Sequence, residues 1–239
     1  FVSVSIHLPD VAGNITPNAS SRIYDDKGRL ITTVHAEENR IPVPISQVPQ
    51  NLQNAFVAAE DVRFYEHHGV DPRGILRAVF ANLTSGNATG QGGSTITQQL
   101  ARNAFLTQEQ TLKRKLLEVV LAFEIESKYT KKQILEMYMN QIYFGQGCYG
   151  IQTAAHVYFG KDVKDLSLPQ CAMLAGLPNS PNYYSPFRSL EAAKYRQGIV
   201  LDQMAKYGYI SAADAQAAKA ADVHLAKQDK GKSGAGTAQ

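Results

Sequence analysis

The chain has 239 residues, 44% of them apolar and 19% charged, with a formal net charge of +3. That composition excludes a disordered chain and supplies the core of one large domain, or of one domain with two lobes. So mild a positive excess gives no argument for nucleic acid, and no apolar run reaches the length of a bilayer span.

The opening stub, Phe1 to Ile6, reads either as the tail of a removed membrane anchor or as a first strand. Ser21 to Asp25 and Leu30 to Val34 predict two short strands around a turn at Asp26-Lys27-Gly28. Pro42, Pro44 and Pro49 then interrupt regular structure. From Gln50 the apolar period becomes helical. Leu52, Phe56 and Ala59 mark a first helix ending at Glu60-Asp61, and Ile75, Leu76, Val79, Phe80 and Leu83 a second. Thr95 to Phe105 is a third. Leu112, Leu116, Val119, Val120 and Phe123 mark a fourth, and Ile134, Leu135, Tyr138 and Ile142 a fifth. Further helices are predicted at Gly150–Tyr158, Ser167–Ala175 and Leu190–Tyr207, with Ser211 capping a last one. The end, Lys227 to Gln239, has the composition of a linker. The class is mainly α with a small β element near the N-terminus. Cys148 and Cys171 are the only two cysteines and read as buried free thiols; neither has a zinc-type partner.

Reactive side chains concentrate in Glu60-Asp61-Val62-Arg63-Phe64-Tyr65-Glu66-His67-His68-Gly69. A carboxylate in a half-apolar cleft has its pKa raised and can take a proton from a hydroxyl. The same residues also suit a charged helix end followed by a solvated turn. Gly92-Gly93-Ser94-Thr95-Ile96-Thr97-Gln98-Gln99 places hydroxyls and amides on the first turns of a helix. Such a turn suits an anion or sugar hydroxyls, or is simply a capped helix start, and it lacks the Lys of a nucleotide-binding loop. Arg114-Lys115 and Glu118 form either a surface ion pair four residues apart or, with Arg102, a cationic site for a diphosphate leaving group.

In this order the segments resemble the peptidoglycan glycosyltransferase family, the domain shared by class A penicillin-binding proteins and monofunctional transglycosylases. The residues that carry the likeness are Glu60-Asp61, Phe64, His67 and Gly69; Gly92 and Ser94 to Gln99; Arg114-Lys115 and Glu118; Lys131, Ile134-Leu135, Tyr138 and Asn140; and Arg196 with Val200-Leu201. The resemblance implies a lysozyme-like, mainly α fold with a large head and a small membrane-facing jaw. It implies that lipid II is polymerised into β-1,4 glycan with inversion at C1 and release of undecaprenyl diphosphate. Glu60 would be the base and Glu118 the second catalytic carboxylate. Asp61, Phe64, His67, Ser94, Thr95, Thr97, Gln98, Gln99, Arg102, Arg114, Lys115, Asn140 and Arg196 would form the substrate site. Arg102 stands where the family commonly has Lys, which keeps the charge and changes its shape.

No cofactor is required on this reading, although a divalent cation (Mg or Mn) at the donor diphosphate is compatible with it. Expected partners are lipid II, the growing glycan, the bacterial membrane interface, a fused transpeptidase domain and other cell-wall synthesis proteins. The implied location is the outer face of the cytoplasmic membrane. Residues 1–20 would be the linker after an anchor, 21–226 the glycosyltransferase domain and 227–239 a flexible tail. The segment Ile75–Leu83, with Phe105-Leu106, reads as a jaw surface that either enters the bilayer interface or packs the small lobe. The rival functions are a lysozyme-like enzyme that cleaves peptidoglycan and a non-catalytic glycan- or lipid-binding module.

Overall fold

The structure is a computed structural model that describes residues 20–24, 30–35, 41–76, 93–106 and 112–227. Two antiparallel strands come first, β1 (Ser20–Tyr24) and β2 (Leu30–His35), with Ser21 opposite Val34. The expected turn between them and the tail beyond Lys227 lie outside the described residues.

Eight α-helices follow among the described residues: α1 (Gln50–Glu60), α2 (Ile96–Phe105), α3 (Leu112–Lys128), α4 (Lys131–Gln141), α5 (Ile151–Phe159), α6 (Leu168–Gly176), α7 (Leu190–Lys206) and α8 (Ala212–Ala220). The mainly α class with a small β element is what the structure shows. Four helices start with reciprocal caps: Thr95 with Gln98, Thr130 with Gln133, Ser167 with Gln170, and Ser211 with Asp214. In each pair the hydroxyl accepts from the third helical N–H while the longer side chain reaches back, so two orphan donors are satisfied at once.

Helix α1 is the hub. It packs on α6 and α7, while α2 packs on α3 and α4. Phe56 joins the two groups, because its fully buried ring lies edge-on to Tyr138 of α4 at 5.9 Å and to Phe144 at 6.2 Å. The segment before α1 is tied to α4 by polar bonds. Asn140 donates to the Val43 carbonyl at 2.8 Å and accepts from the Val43 N–H at 3.0 Å, and Glu136 accepts from Ile45 N–H at 2.7 Å. Cys148 and Cys171 are buried free thiols, and burial pushes their pKa values up to about 11 and about 12.

Helix α3 departs from the expectation of an apolar face turned inward. The periodicity finds the helix, which continues five residues past Phe123 to Lys128. Yet Leu116, Val120 and Phe123 point outward, with Leu116 69% exposed, while Glu118 is fully buried beside Leu121, Ala122 and Ile125. Of the predicted second helix, a helical turn at 72–76 is described, with Ile75 and Leu76 exposed; its remainder to Leu83 lies outside the described residues. Phe105 and Leu106 pack against the core instead of joining that surface.

Candidate active site

Glu60 is the last residue of α1, and the chain turns sharply after it, with Asp61 at φ −157° and ψ 77°. This turn sends the two neighbouring carboxylates to different tasks. Asp61 is buried and accepts from His67 Nε2 at 2.8 Å and from the Ile96 N–H at 3.0 Å. A carboxylate is thereby set at the N-terminus of α2, where the helix dipole favours negative charge. The anion at that helix start is the chain's own. His67 stacks edge-on against Phe64, whose buried ring lies under the Lys131 ammonium at 4.6 Å.

Gly69 completes this clasp. Its φ is +92°, and a Cβ there would meet the Ala122 carbonyl of α3 at 3.0 Å. Its own carbonyl accepts from the Thr95 hydroxyl at 2.6 Å while that hydroxyl caps α2. Thr97 donates to Glu126 at 2.6 Å, and Lys131 holds the same carboxylate oxygen at 2.7 Å. The side chains of Asp61, His67, Thr95 and Gln98 are therefore occupied with one another or with the backbone, and Thr97 with Glu126. They fix how α1, α2 and α3 meet.

Glu60 takes no part in this clasp. Its Oε2 accepts from the Gln99 amide at 2.9 Å, and its buried Oε1 has no hydrogen-bond partner. Burial raises its pKa; the Gln99 hydrogen bond and the charges of Arg196 and Arg102 pull it down, and Asp61 pushes it up. Arg196 of α7 acts on Glu60 through its charge. Its guanidinium lies over the Tyr184 ring at 6.0 Å, and its stem fills the space that Gly176 leaves, where a Cβ would come within 2.9 Å of Arg196 Cγ.

The cations lie beside Ser94, just before the start of α2. Lys115 donates to Ser94 Oγ at 2.8 Å and to Glu118 Oε2 at 2.9 Å, and Arg114 Nε is 3.4 Å from Glu118 Oε1. The ion-pair reading of this cluster is what the geometry shows, and Lys115 stands half-exposed within it. Ser94 and Gln99 stand five residues apart across the start of α2. A base and a cationic group thus share the first turns of α2. Asn140, by contrast, is spent on Val43.

This arrangement coincides with a family match. The transglycosylase model matches residues 27–205, which include Glu60, Glu118 and Arg196. The chain belongs to the transglycosylase family. Among transglycosylase relatives, it is 46% identical over 215 residues to penicillin-binding protein 1F of Bacillus subtilis (strain 168), covering 89% of this chain and 30% of that protein. It is 50% identical over 206 residues to penicillin-binding protein 1A of Escherichia coli (strain K12), covering 85% and 24%. The chain spans less than a third of the length of these relatives. A 2.6 Å crystal structure of penicillin-binding protein 1A from Haemophilus influenzae aligns at a TM-score of 0.48 with 26% identity, covering 87% of this chain and 21% of that one.

Three residues that shape the surroundings of Glu60 and α2 escaped the sequence reading as site residues. Tyr138 donates to Gln99, Glu126 anchors Thr97, and Gly176 makes room for Arg196. Tyr138 stands in a recognisable motif, but nothing in a helical repeat tells which aromatic ends in a polar contact. Glu126 and Gly176 carry no local signal.

Proposed function

We propose that this chain is a peptidoglycan glycosyltransferase domain that polymerises lipid II into linear β-1,4 glycan. The observation that carries this reading is the pairing on α2 of a half-buried Glu60 with a cationic group at Lys115, Arg114 and Ser94. Transfer to a hydroxyl from a sugar diphosphate needs one base and positive charge at the leaving group, and needs no proton donor there. Glu60 Oε1 takes the proton of the acceptor 4-hydroxyl as O4 bonds to C1 of the donor. The C1–O bond to the diphosphate breaks with its electron pair, and undecaprenyl diphosphate departs against Lys115 and Arg114. Attack opposite the α-linked leaving group yields the β linkage. Glu118 acts by holding both cations in place.

The residues around Glu118 do not fit a resident metal. Its two oxygens face Arg114 and Lys115, and among the described residues no three His, Cys, Asp or Glu side chains converge. The chain's own cations receive the diphosphate on this reading. Phe64, Asp61, His67, Thr95, Thr97 and Gln98 act as scaffold, and Gln99, Arg102 and Arg196 act directly around Glu60.

Among the described residues no helix is long and apolar enough to cross a membrane. The outward stripe Leu116, Val120 and Phe123, with Ile75 and Leu76, is the surface we assign to the lipid interface where the substrate resides. The reading further places the domain on the outer face of the cytoplasmic membrane, within a longer protein that carries a transpeptidase domain. The names and lengths of the penicillin-binding relatives support that.

The deciding experiment is incubation with lipid II. Polymer with released undecaprenyl diphosphate is the expected product. Glu60→Gln should bind lipid II while losing about 10²–10⁴-fold in rate. Shortening of preformed glycan without polymer would instead mark a hydrolase, and a Glu60→Gln variant that polymerises normally would remove the mechanism.

A further inference from the structure

Glu60 has two oxygens in unlike surroundings, and the difference traces to a residue on another helix. Tyr138 of α4 donates its hydroxyl to Gln99 Oε1 at 3.2 Å, and Gln99 Nε2 donates to Glu60 Oε2 at 2.9 Å. Glu60 Oε1 is buried without a partner. We propose that Tyr138 and Gln99 are positioning residues, a relay that occupies Oε2 of Glu60 and dedicates Oε1 to the acceptor's proton.

The chemistry of the three groups permits one direction. An ionised carboxylate only accepts, so the Gln99 amide must turn its NH₂ toward Glu60. Its carbonyl then faces away and needs a donor, which the phenol supplies. Each member is fixed by its helix. Tyr138 is fully buried, with its ring edge-on to Phe56 at 5.9 Å, so the hydroxyl cannot swing aside. Gln99 directly follows Gln98, which closes the α2 capping box with Thr95. Without the phenol the amide carbonyl loses its donor, and the amide is oriented from the carboxylate side alone.

A buried acceptor with no partner is costly, and that cost is relieved when an acceptor hydroxyl donates to Oε1. The relay thus leaves the reactive oxygen as the one unfilled position. Burial already raises the pKa of Glu60, and the Gln99 hydrogen bond opposes that rise. Losing the bond raises it further.

This inference rests on the proposed glycosyltransferase reading for the proton's source, but the relay can be read without turnover. Tyr138→Phe removes one oxygen and keeps the ring packing, and Gln99→Met keeps length without a donor. In the ligand-free protein, carbon NMR of labelled Glu60 should show its titration moved up by about one pH unit in Gln99→Met and by less in Tyr138→Phe. The acid limb of kcat/KM should move with it, while KM for lipid II stays unchanged. Glu60 titrating as in the wild type in both variants would overturn the relay whatever the activity. A raised KM with an unmoved pH profile would overturn it too, and assign Gln99 to donor binding. A wild-type protein that makes no polymer would remove the functional reading, and the titration alone would then decide the relay.

Discussion

Helices α1 and α3 solve burial in opposite ways. On α1, Leu52, Ala55, Phe56 and Ala58 are fully buried against neighbouring helices, and its polar terminal Glu60 looks into the site. On α3 the apolar Leu116 and Phe123 are 69% and 53% exposed, while the carboxylate of Glu118 is inside. A surface helix ordinarily turns its apolar stripe to the core. Helix α3 is rotated so that its charged residues reach the site. The cost of burying Glu118 is offset by two cations beside it. Its outward stripe is left for a surface other than water. The comparison teaches that α1 is placed by apolar burial throughout, whereas α3 buries Leu121 and Ile125 together with an ion-paired carboxylate.

The sharpest way to break that contrast is truncation on each helix. Phe56→Ala should cost about 3–5 kcal/mol in denaturant unfolding, whereas Leu116→Ala should stay within about 0.5 kcal/mol. Equal losses would show that the outward stripe of α3 contributes to the fold as a packed face does. Next in size, Glu118→Ala should cost about 1–3 kcal/mol, because it leaves Arg114 and Lys115 without their shared acceptor. It should also depress polymerisation at saturating substrate.

Replacing Leu116, Val120 and Phe123 together by Ser tests the other face. Sedimentation with anionic lipid vesicles should weaken by about tenfold or more, with the melting temperature unchanged. The smallest effect belongs to α1. The folded pKa of Glu60 lies above its unfolded value, so its contribution to stability is full below the unfolded pKa and is lost as pH rises through the folded one. Glu60→Gln should therefore raise the melting temperature at pH 7 and leave it unchanged near pH 4.

Much of this was legible in the residues. Reciprocal caps such as Thr95 with Gln98 are local, and the 3.6-residue period is set by each helix's own neighbours, so the starts of all eight described helices came through within a few residues. Glu60 stood out for the same reason, as a carboxylate where an apolar stripe stops. The roles of the polar motif residues were less legible. Thr97 and Asn140 look alike in sequence as site candidates, yet one is bound to Glu126 and the other to Val43, 29 and 97 residues away.

By itself the sequence determined which segments become helices, where they start, and that a base, a hydroxyl-rich helix start and a cationic helix occur in this order. Those properties depend on side chains within a turn or two of each other. Only the tertiary structure decided which face of α3 turns inward, which carboxylate of Glu60-Asp61 is spent on the clasp, and that Tyr138 and Gln99 divide the two oxygens of Glu60. Those outcomes are set by contacts between helices, where burial, charge and hydrogen bonding compete for the same few positions, and no local pattern records which of them prevails.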